Sequence, residues 1–227
     1  MSKNDTAKSL SNNQKRDPEK RKRDLLLAAR HEFSEHGLSG ARVDDIVNRA
    51  GVNKQLLYYY FGDKETIYEK VLEDAYAEIR DGEELLNLAA LPALEAMEKY
   101  IRYNFNFIQE NRHFVALLND ENLHHAQHLT NSAATIESHV QLRKLVGDVL
   151  DRGLAEGIFK RNVDPVSLYL TISSLSFFFF SNIHTMSKIF ARNLSDESEI
   201  RKRSDEIVEI VLAYLTTPDD RTGLSGG

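Results

Sequence analysis

The sequence predicts an all-α protein, with three short helices in an N-terminal domain followed by a larger helical bundle, about nine helices in all. No long run alternates apolar and polar residues, as a half-buried strand would. Apolar residues instead recur three and four positions apart, which is the spacing of one helix face. The chain holds four prolines, and each stands where a helix can begin or just after one ends.

Short turns separate the predicted helices, and several of these turns contain a glycine. Gly37, Gly51, Gly62 and Gly157 fall at helix ends, where a left-handed backbone is often needed. We expect helices at residues 18–36, 43–50, 54–60, 63–80, 92–110, 111–127, 130–156, 165–190 and 197–216. The expected domains are a disordered basic arm (1–16), a first domain (17–62), a connecting helix with a second domain (63–216) and a flexible tail (217–227).

The composition is that of an ordinary globular protein, with 41% hydrophobic and 28% charged residues. The chain has no cysteine, which excludes a disulfide framework and a thiolate metal site. Residues 166–180 are apolar, but they are too few to cross a bilayer and include five serines and threonines, so they predict a buried helix. Residues 1–16 lack the apolar core of a secretory signal, and we expect a cytoplasmic protein with no membrane partner.

Charge is unevenly distributed along the chain. The net charge is −6, but residues 1–70 carry +3 and the remainder carries −9. A basic head on an acidic body can approach a polyanion in one orientation only, because the body is repelled. This asymmetry favours a nucleic acid as the partner of the N-terminal domain.

The most informative stretch begins with a short amphipathic helix. Val43, Ile46, Val47 and Ala50 follow the spacing of a single apolar face over two turns. Gly51 then permits a sharp turn, and the small side chain of Ala50 allows the next helix to cross closely. Residues 43–61 therefore predict two crossed helices.

The second of these helices has two chemically distinct faces. Leu56, Leu57, Tyr60 and Phe61 form an apolar face, and the opposite face carries the polar residues Lys54, Gln55, Tyr58 and Tyr59. Amide, amine and phenol groups can bond base edges and phosphates in a DNA major groove. Asn53 is placed to cap this helix, which leaves its N-terminal amides near the DNA backbone.

A further cation follows the polar face. Asp63 is placed to cap the next helix, and Lys64 lies in its first turn, where a positive charge is unfavourable. This position suggests an external anion, and a DNA phosphate is the obvious candidate. Arg21, Lys22 and Arg23 form a second basic group, which could contact DNA or simply be solvated.

This stretch resembles the DNA-binding region of TetR-family transcriptional regulators. GVNKQLLYYYFGDKETIYEKVL, preceded by ARVDDIVNRA, follows their Gly-Val turn, their recognition helix and the Lys-Glu that begins the next helix. The resemblance implies that the polar face of residues 54–59 contacts bases and backbone, and that Tyr60 and Lys64 contact phosphate. Arg42 stands where the family often has Thr, so a helix cap is lost and a possible phosphate contact is gained. Asn53 and Leu56 also depart from the pattern, which leaves the operator sequence open.

The resemblance also implies the role of the C-terminal body. TetR-like proteins carry a helical effector domain there and dimerise through their last two helices. We therefore expect a homodimeric regulator, a repressor that a small molecule releases from a near-palindromic DNA operator, with no cofactor and no enzymatic activity. Residues 119–129 and 156–165 loosely resemble a subgroup that includes pyrimidine-responsive regulators, which does not identify the effector.

Candidate effector-binding residues are the aromatic and polar side chains of otherwise apolar helices, where a ligand could pair buried polar groups. They are Tyr103, Phe107, Phe114, Leu117, Glu121, Asn122, His125, Phe178, Asn182 and His184. These polar groups could equally bond to one another or to water.

Two alternatives remain open at this stage. Glu110 with His113, and Glu121 with His124, repeat the Glu-x-x-His unit of di-iron bundles, and His128 lies one further turn along the chain. A helical metalloenzyme is therefore a second hypothesis. A third is a DNA-binding protein that responds to no effector because its body has no open pocket.

Overall fold

The computed structural model describes residues 18–129 and 133–219, with only the backbone for 133–139. Within these residues the chain forms ten α-helices and one 3₁₀ turn (Leu88–Ala90), with no strand. The helices are α1 (Pro18–Gly40), α2 (Val43–Ala50), α3 (Lys54–Phe61), α4 (Lys64–Leu85), α5 (Ala93–Glu110), α6 (Arg112–Leu123), α7 (Ala133–Ala155), α8 (Pro165–Ser181), α9 (Ile183–Ile189) and α10 (Glu197–Thr216). The predicted arm at 1–16 and residues 220–227 of the predicted tail lie outside the described residues.

The all-α prediction is confirmed, but several helices differ from their expected bounds. α1 continues past a kink at Gly37 to Gly40 rather than ending at residue 36. α4 continues to Leu85 rather than residue 80, and α6 stops at Leu123 rather than residue 127. The predicted helix 165–190 is two helices, α8 and α9, bent by 67°. At the break, the amide of Asn182 donates to the carbonyl of Phe178 at 3.0 Å, a side-chain bond that competes with the helix ladder.

The N-terminal helices α1, α2 and α3, which we call the head, pack around a small apolar core. Leu25, Phe33, Ile46 and Leu57 are all within 1% of full burial. α1 packs against α2, and its other sides contact α4 and α6. The head is therefore attached to the rest of the chain by two helices rather than by one linker.

Helices α5 to α10, which we call the body, are organised around α5. This helix contacts α7, α8 and α10, and it buries Met97, Tyr100, Ile101 and Phe105. α4 joins head and body through a continuous apolar stripe. Its five residues recur at helical spacing in the sequence, and all are buried: Tyr68, Val71, Leu72, Ala75 and Ile79.

The last helices bury part of their apolar surface within the chain and leave part of it exposed. Ile207, Val211 and Leu215 recur along one face of α10 and are buried in the chain's own core. Tyr214 of the same helix is 41% exposed. In the aromatic run of α8 Phe180 is buried but Phe178 is 58% exposed, so part of this run faces away from the core.

No single helix in the described part of the chain has the length and apolar character needed to cross a membrane. Only α8 and α9 taken together reach that length and composition, and the bend separates them.

Candidate nucleic-acid interface

Local capping and turn geometry fix the position of α3. Gly51 ends α2 with φ 65° and ψ 36°, a left-handed conformation that glycine adopts without steric cost. The side chain of Asn53 accepts a hydrogen bond from the backbone amide of Leu56 at 2.9 Å, as an N-cap residue does. The predicted cap and the predicted turn are thus both present, and α3 begins at Lys54.

The two faces of α3 are separated in the structure as the sequence pattern suggests. Leu57 and Phe61 are buried against the head, and Leu56 and Tyr60 are half-buried. The polar side is exposed, and it carries Lys54, Gln55, Tyr58 and Tyr59. Tyr59 is 80% exposed, which is unusual for an aromatic residue without a partner surface. α3 therefore offers solvent an amine, an amide and two phenols on one side.

One group on this surface is held by an intramolecular ion pair. The Nζ atom of Lys54 lies 3.0 Å from Oδ1 of Asp44, on the first turn of α2. The hydrogen bond and the charge of Asp44 raise the pKa of Lys54 above its usual value. An exposed pair of this kind contributes little stability, so Lys54 can exchange Asp44 for a phosphate or a base.

The basic residues on either side of α3 differ in their exposure and in their hydrogen bonds within the chain. Arg42 occupies the N-cap position of α2 without a side-chain cap bond, and its side chain is 75% exposed. Lys64 is half-buried, and its Nζ atom donates to the carbonyls of Leu38 at 2.8 Å and Ala41 at 3.3 Å. Lys64 therefore has internal partners and does not by itself indicate an external anion, contrary to the sequence-based expectation. A phosphate contact by Lys64 rests on the family resemblance alone.

The predicted effector-binding residues do not line one pocket. Phe107, Phe114 and Leu117 are buried, and the rings of Phe107 and Phe114 meet edge to face at 5.5 Å. Tyr103 packs beside them and donates to the carbonyl of Ile79 at 2.8 Å. These four residues belong to the core between α4, α5 and α6.

The remaining predicted effector residues lie away from this core. Asn122, His125, Phe178 and His184 are exposed, and Asn182 is half-buried at the α8–α9 break. Side-chain type alone could not separate these surface positions from interior ones.

Glu121 is buried, but its polar atoms already have partners. Its carboxylate accepts bonds from the backbone amides of His128 and Leu129, at 2.7 and 3.2 Å, and lies 2.9 Å from Nδ1 of His128. The carboxylate thus closes the loop after α6, in which His125 and Ala126 have positive φ. The burial of Glu121 is therefore explained by partners within the chain and does not by itself indicate a ligand.

The metal-binding hypothesis is not supported by the geometry. His124 and His128 do not share a helix face, because α6 ends before them. Glu110 is exposed, and Nε2 of His113 lies 3.2 Å from Arg30, a cation. Among the residues that the structure describes, no three His, Asp or Glu side chains are arranged to hold a metal ion.

Sequence reasoning missed a polar cluster inside the body. Arg80 and Glu83 of α4 are 5% and 2% exposed and are hydrogen-bonded to each other. Tyr100 contacts Glu83, Tyr169 contacts Arg80, and Asn104 lies one turn beyond Tyr100. An Arg and a Glu three positions apart normally form a surface pair on a helix, and nothing in the sequence distinguishes this pair from one.

Comparisons with known proteins agree with this arrangement of head and body. Residues 25–71 match the family described as bacterial regulatory proteins, tetR family. Residues 94–211, about half of the chain, match the tetracyclin repressor-like C-terminal domain. The chain belongs to the TetR family of transcriptional regulators. The resemblance stated from residues 20–72 is thereby confirmed, and it extends into the body.

Two curated TetR-family repressors are similar over most of the chain. HTH-type transcriptional repressor NicS of Pseudomonas putida is 32% identical over 180 residues, 76% of this chain and 82% of its own length. HTH-type transcriptional repressor KstR2 of Mycobacterium tuberculosis is 31% identical over 156 residues, 66% of this chain and 74% of its own length. Transcriptional regulator SCO4942 from Streptomyces coelicolor superposes with a TM-score of 0.66 at 21% identity, covering 87% of this chain and 99% of that one, which shows a shared fold.

Proposed function

We propose that this TetR-family regulator is a homodimeric repressor that binds a near-palindromic DNA operator and leaves it when a small molecule binds the body. The observation that carries the proposal is the outward face of α3, where Gln55, Tyr58 and Tyr59 stand exposed on a helix short enough to enter a major groove. The similar proteins NicS and KstR2 are named repressors, which supports repression rather than activation.

Dimerisation is supported by apolar side chains exposed on the outer side of the body. Val166, Leu170 and Phe178 follow one face of α8, and Ile210 and Tyr214 follow one face of α10. α8 and α10 pack against each other, so these faces adjoin. Apolar side chains clustered in this way mark an interface, and two copies meeting there would form a four-helix contact. Two heads related by a two-fold axis would read half-sites one DNA turn apart, about 34–36 Å.

Sedimentation velocity tests the interface. We expect Leu170→Asp to convert the dimer into a folded monomer, because it places a carboxylate where apolar surfaces meet. The matched control is Leu123→Asp, at a position on α6 that is 79% exposed, and this variant should stay dimeric. A dimer that survives Leu170→Asp unchanged would place the interface elsewhere.

Coupling between body and operator is assigned to α4. This helix of 22 residues is about 33 Å long, and it carries Lys64 near the head and Glu83 near its other end, inside the body. A ligand that displaces the body end of a rigid helix also displaces its head end, and with it the spacing of the two recognition helices. The expected coupling between effector and operator is about 1–3 kcal/mol.

Fluorescence anisotropy tests operator binding, using DNA selected from a random pool by the purified protein. Binding should be selective for the selected sequence and should weaken steeply with salt, because phosphate contacts release counterions. Gln55→Ala should weaken binding about tenfold, from the loss of base contacts worth about 1–3 kcal/mol. Gln109→Ala, on α5 beside α10 and outside the head, serves as the matched control and should bind as the wild type does. Failure to enrich any sequence would refute the proposal.

A further inference from the structure

Burying the charged pair Arg80 and Glu83 costs folding free energy. Arg80 and Glu83 are both almost fully removed from solvent, and burying two charges costs several kcal/mol per ion before their attraction is counted. Apolar residues of similar volume often stabilise a core as well as such a pair does. The pair therefore calls for a role other than the stability of the body.

Hydrogen bonds around the pair are long, and two polar atoms have no partner. Nη2 of Arg80 lies 3.4 Å from the hydroxyl of Tyr169, and Nδ2 of Asn104 lies 3.4 Å from Oγ of Ser173. Among the residues that the structure describes, Nε of Arg80 and Oδ1 of Asn104 find no hydrogen-bond partner although both atoms are buried. Buried polar atoms are almost always paired, so unpaired ones indicate a missing ligand or water.

Helix geometry places these groups in one row. Asn104 follows Tyr100 by one turn of α5, and Ser173 follows Tyr169 by one turn of α8. α5 and α8 pack against each other, so Tyr100 and Asn104 of one helix face Tyr169 and Ser173 of the other, one turn after the next. We call these four residues together with Arg80 the row; it begins at Arg80 and ends at the amide of Asn104.

The guanidinium of Arg80 has one edge occupied and one edge open. Nη1 is bonded to Glu83, whereas Nε has no partner and Nη2 has only its long contact with Tyr169. The Nε–H group and one Nη2–H bond of a planar guanidinium point in the same direction. Two parallel N–H donors of this kind match the two oxygens of a carboxylate.

The other groups of the row favour a ligand that accepts several hydrogen bonds and also has a flat apolar ring. The hydroxyls of Tyr100, Tyr169 and Ser173 can donate, as can the amide of Asn104. Tyr76 supplies an aromatic wall, with its ring 5.6 Å from that of Phe114 in an edge-to-face arrangement. Burial raises the pKa of Tyr76 to about 12, with a smaller contribution from Tyr169, so its hydroxyl remains a donor at neutral pH.

A cleft between α4 and α7 leads from the surface to the charged pair. Its volume is about 220 Å³, and its walls include Arg80 and Glu83 on one side with Leu142 and Leu145 on the other. Lys144 lines the cleft together with Glu84 and Asp148, so its mouth carries charges of both signs and the open edge of Arg80 supplies the preference for an anion. Ligand sites are typically mostly apolar clefts that end at a few converging polar groups.

We propose that the Arg80 end of this row, where the cleft reaches it, is the effector site of the regulator and that it takes a small organic carboxylate with a ring, held bidentately by Nε and Nη2 of Arg80. The assignment rests on the proposed function, because it identifies the effector that the repressor senses. Tyr169, whose hydroxyl lies 3.4 Å from Nη2 of Arg80, would orient the molecule beside the guanidinium.

Ligand-observed NMR on the full-length protein tests the site with three probes: benzoate, its neutral analogue benzamide, and cyclohexanecarboxylate. We expect benzoate to bind about tenfold more tightly than benzamide, the difference that a charged hydrogen-bonded pair provides. Cyclohexanecarboxylate reports whether the ring must be aromatic, and competition between the two carboxylates would show a shared site. Equal binding of benzoate and benzamide, or no binding of either carboxylate, would overturn the proposal.

The decisive variant removes both charges together. Arg80→Met combined with Glu83→Gln leaves no unpaired buried charge, so the body should still fold. Benzoate binding should fall about tenfold or more, whereas selected operator DNA should bind as before. Arg102→Met is the matched control, because that arginine pairs with Glu98 and Asp205 on the outer side of α5. Benzoate binding that survives the double variant would place the anion site elsewhere.

DNA binding is measured on the same preparations, which separates the two proposals. A protein that binds selected DNA but no carboxylate at Arg80 would refute the effector assignment alone. A protein that binds benzoate through Arg80 but selects no DNA would refute the proposed function and leave the binding site standing.

Discussion

Gly37 lies where the head meets the body, and replacing it tests how that joint is built. Its backbone has φ 65° and ψ 174°, a combination that is almost restricted to glycine. A Cβ atom at this position would come within 2.5 Å of Oδ1 of Asp120, at the C-terminal end of α6. The same carboxylate accepts bonds from the amide of Leu38 and the hydroxyl of Tyr68, both at 2.9 Å. It therefore cannot move aside without losing them.

The cost of Gly37→Ala follows from these two terms. The strained backbone costs about 1–3 kcal/mol. Displacing Asp120 loses hydrogen bonds to a charged group, worth about 1.5–3 kcal/mol. A total of about 3–5 kcal/mol lowers the Tm of a protein of this size by about 10 °C or more.

Gly51 provides a matched comparison at the end of α2. It has the same φ of 65°, but an added Cβ would meet nothing within 4 Å. Gly51→Ala should therefore cost only the left-handed backbone term, about 1–2 kcal/mol and a few °C in Tm.

Thermal unfolding followed by circular dichroism measures both variants, and Asp120→Ala completes a double-mutant cycle with Gly37→Ala. Because the alanine at 37 already breaks the bonds of Asp120, removing that carboxylate should cost far less in the variant than in the wild type. Equal Tm losses for the two glycine variants would refute this reasoning. So would an Asp120→Ala cost that is the same in both backgrounds.

Three further outcomes follow from polar contacts elsewhere in the chain. Lys64→Met should lower the free energy of unfolding by about 1–3 kcal/mol in denaturant titrations, because it removes a donor from the carbonyl of Leu38. An unchanged unfolding midpoint together with weaker operator binding would assign Lys64 to DNA instead. Burial, with a smaller effect of the Arg30 charge, lowers the pKa of His113 from its usual value of 6.5. Because the folded protein thus favours the neutral ring, the free energy of unfolding declines as the pH falls below about 6.5. The Tm of His113→Gln should accordingly fall less than that of the wild type between about pH 7.5 and pH 5.5, and parallel declines would contradict this assignment. Arg152→Met should destabilise by about 2 kcal/mol, because its guanidinium donates to the carbonyls of Leu91 at 2.6 Å and Leu88 at 2.9 Å, at the end and start of the 3₁₀ turn. Wild-type stability in urea would show that water replaces these bonds.

Predictions from the sequence succeeded where local rules decide the structure. The cap at Asn53, the turn at Gly51 and the two faces of α3 depend on residues within four positions of one another. The buried stripe of α4 follows from the same periodicity over a longer span. In each case the nearest neighbours in the chain carry the information.

Predictions failed where a side chain's environment is set by a distant element. The pairing of Lys64 depends on carbonyls at the end of α1, 26 residues earlier, which no pattern around residue 64 reveals. The sequence suggests that Glu121 is a buried polar residue that a ligand could pair, but the backbone amides of His128 and Leu129 donate hydrogen bonds to its carboxylate. The break at Asn182 contains neither proline nor glycine, and it arises from a side-chain bond that competes with the helix ladder.

The sequence does not indicate the proposed effector site. Its pattern points to polar residues among the apolar helices of the body, whereas Arg80 and Glu83 lie on α4, whose charged sequence suggests a surface helix. The C-terminal half of α4 is covered because α7 and α5 pack over it, which the periodicity of α4 does not reveal. Because one rigid helix carries both Lys64 near the head and Arg80 at the proposed site, a ligand bound there would act directly on the helix that positions the recognition surface, without an intermediate relay.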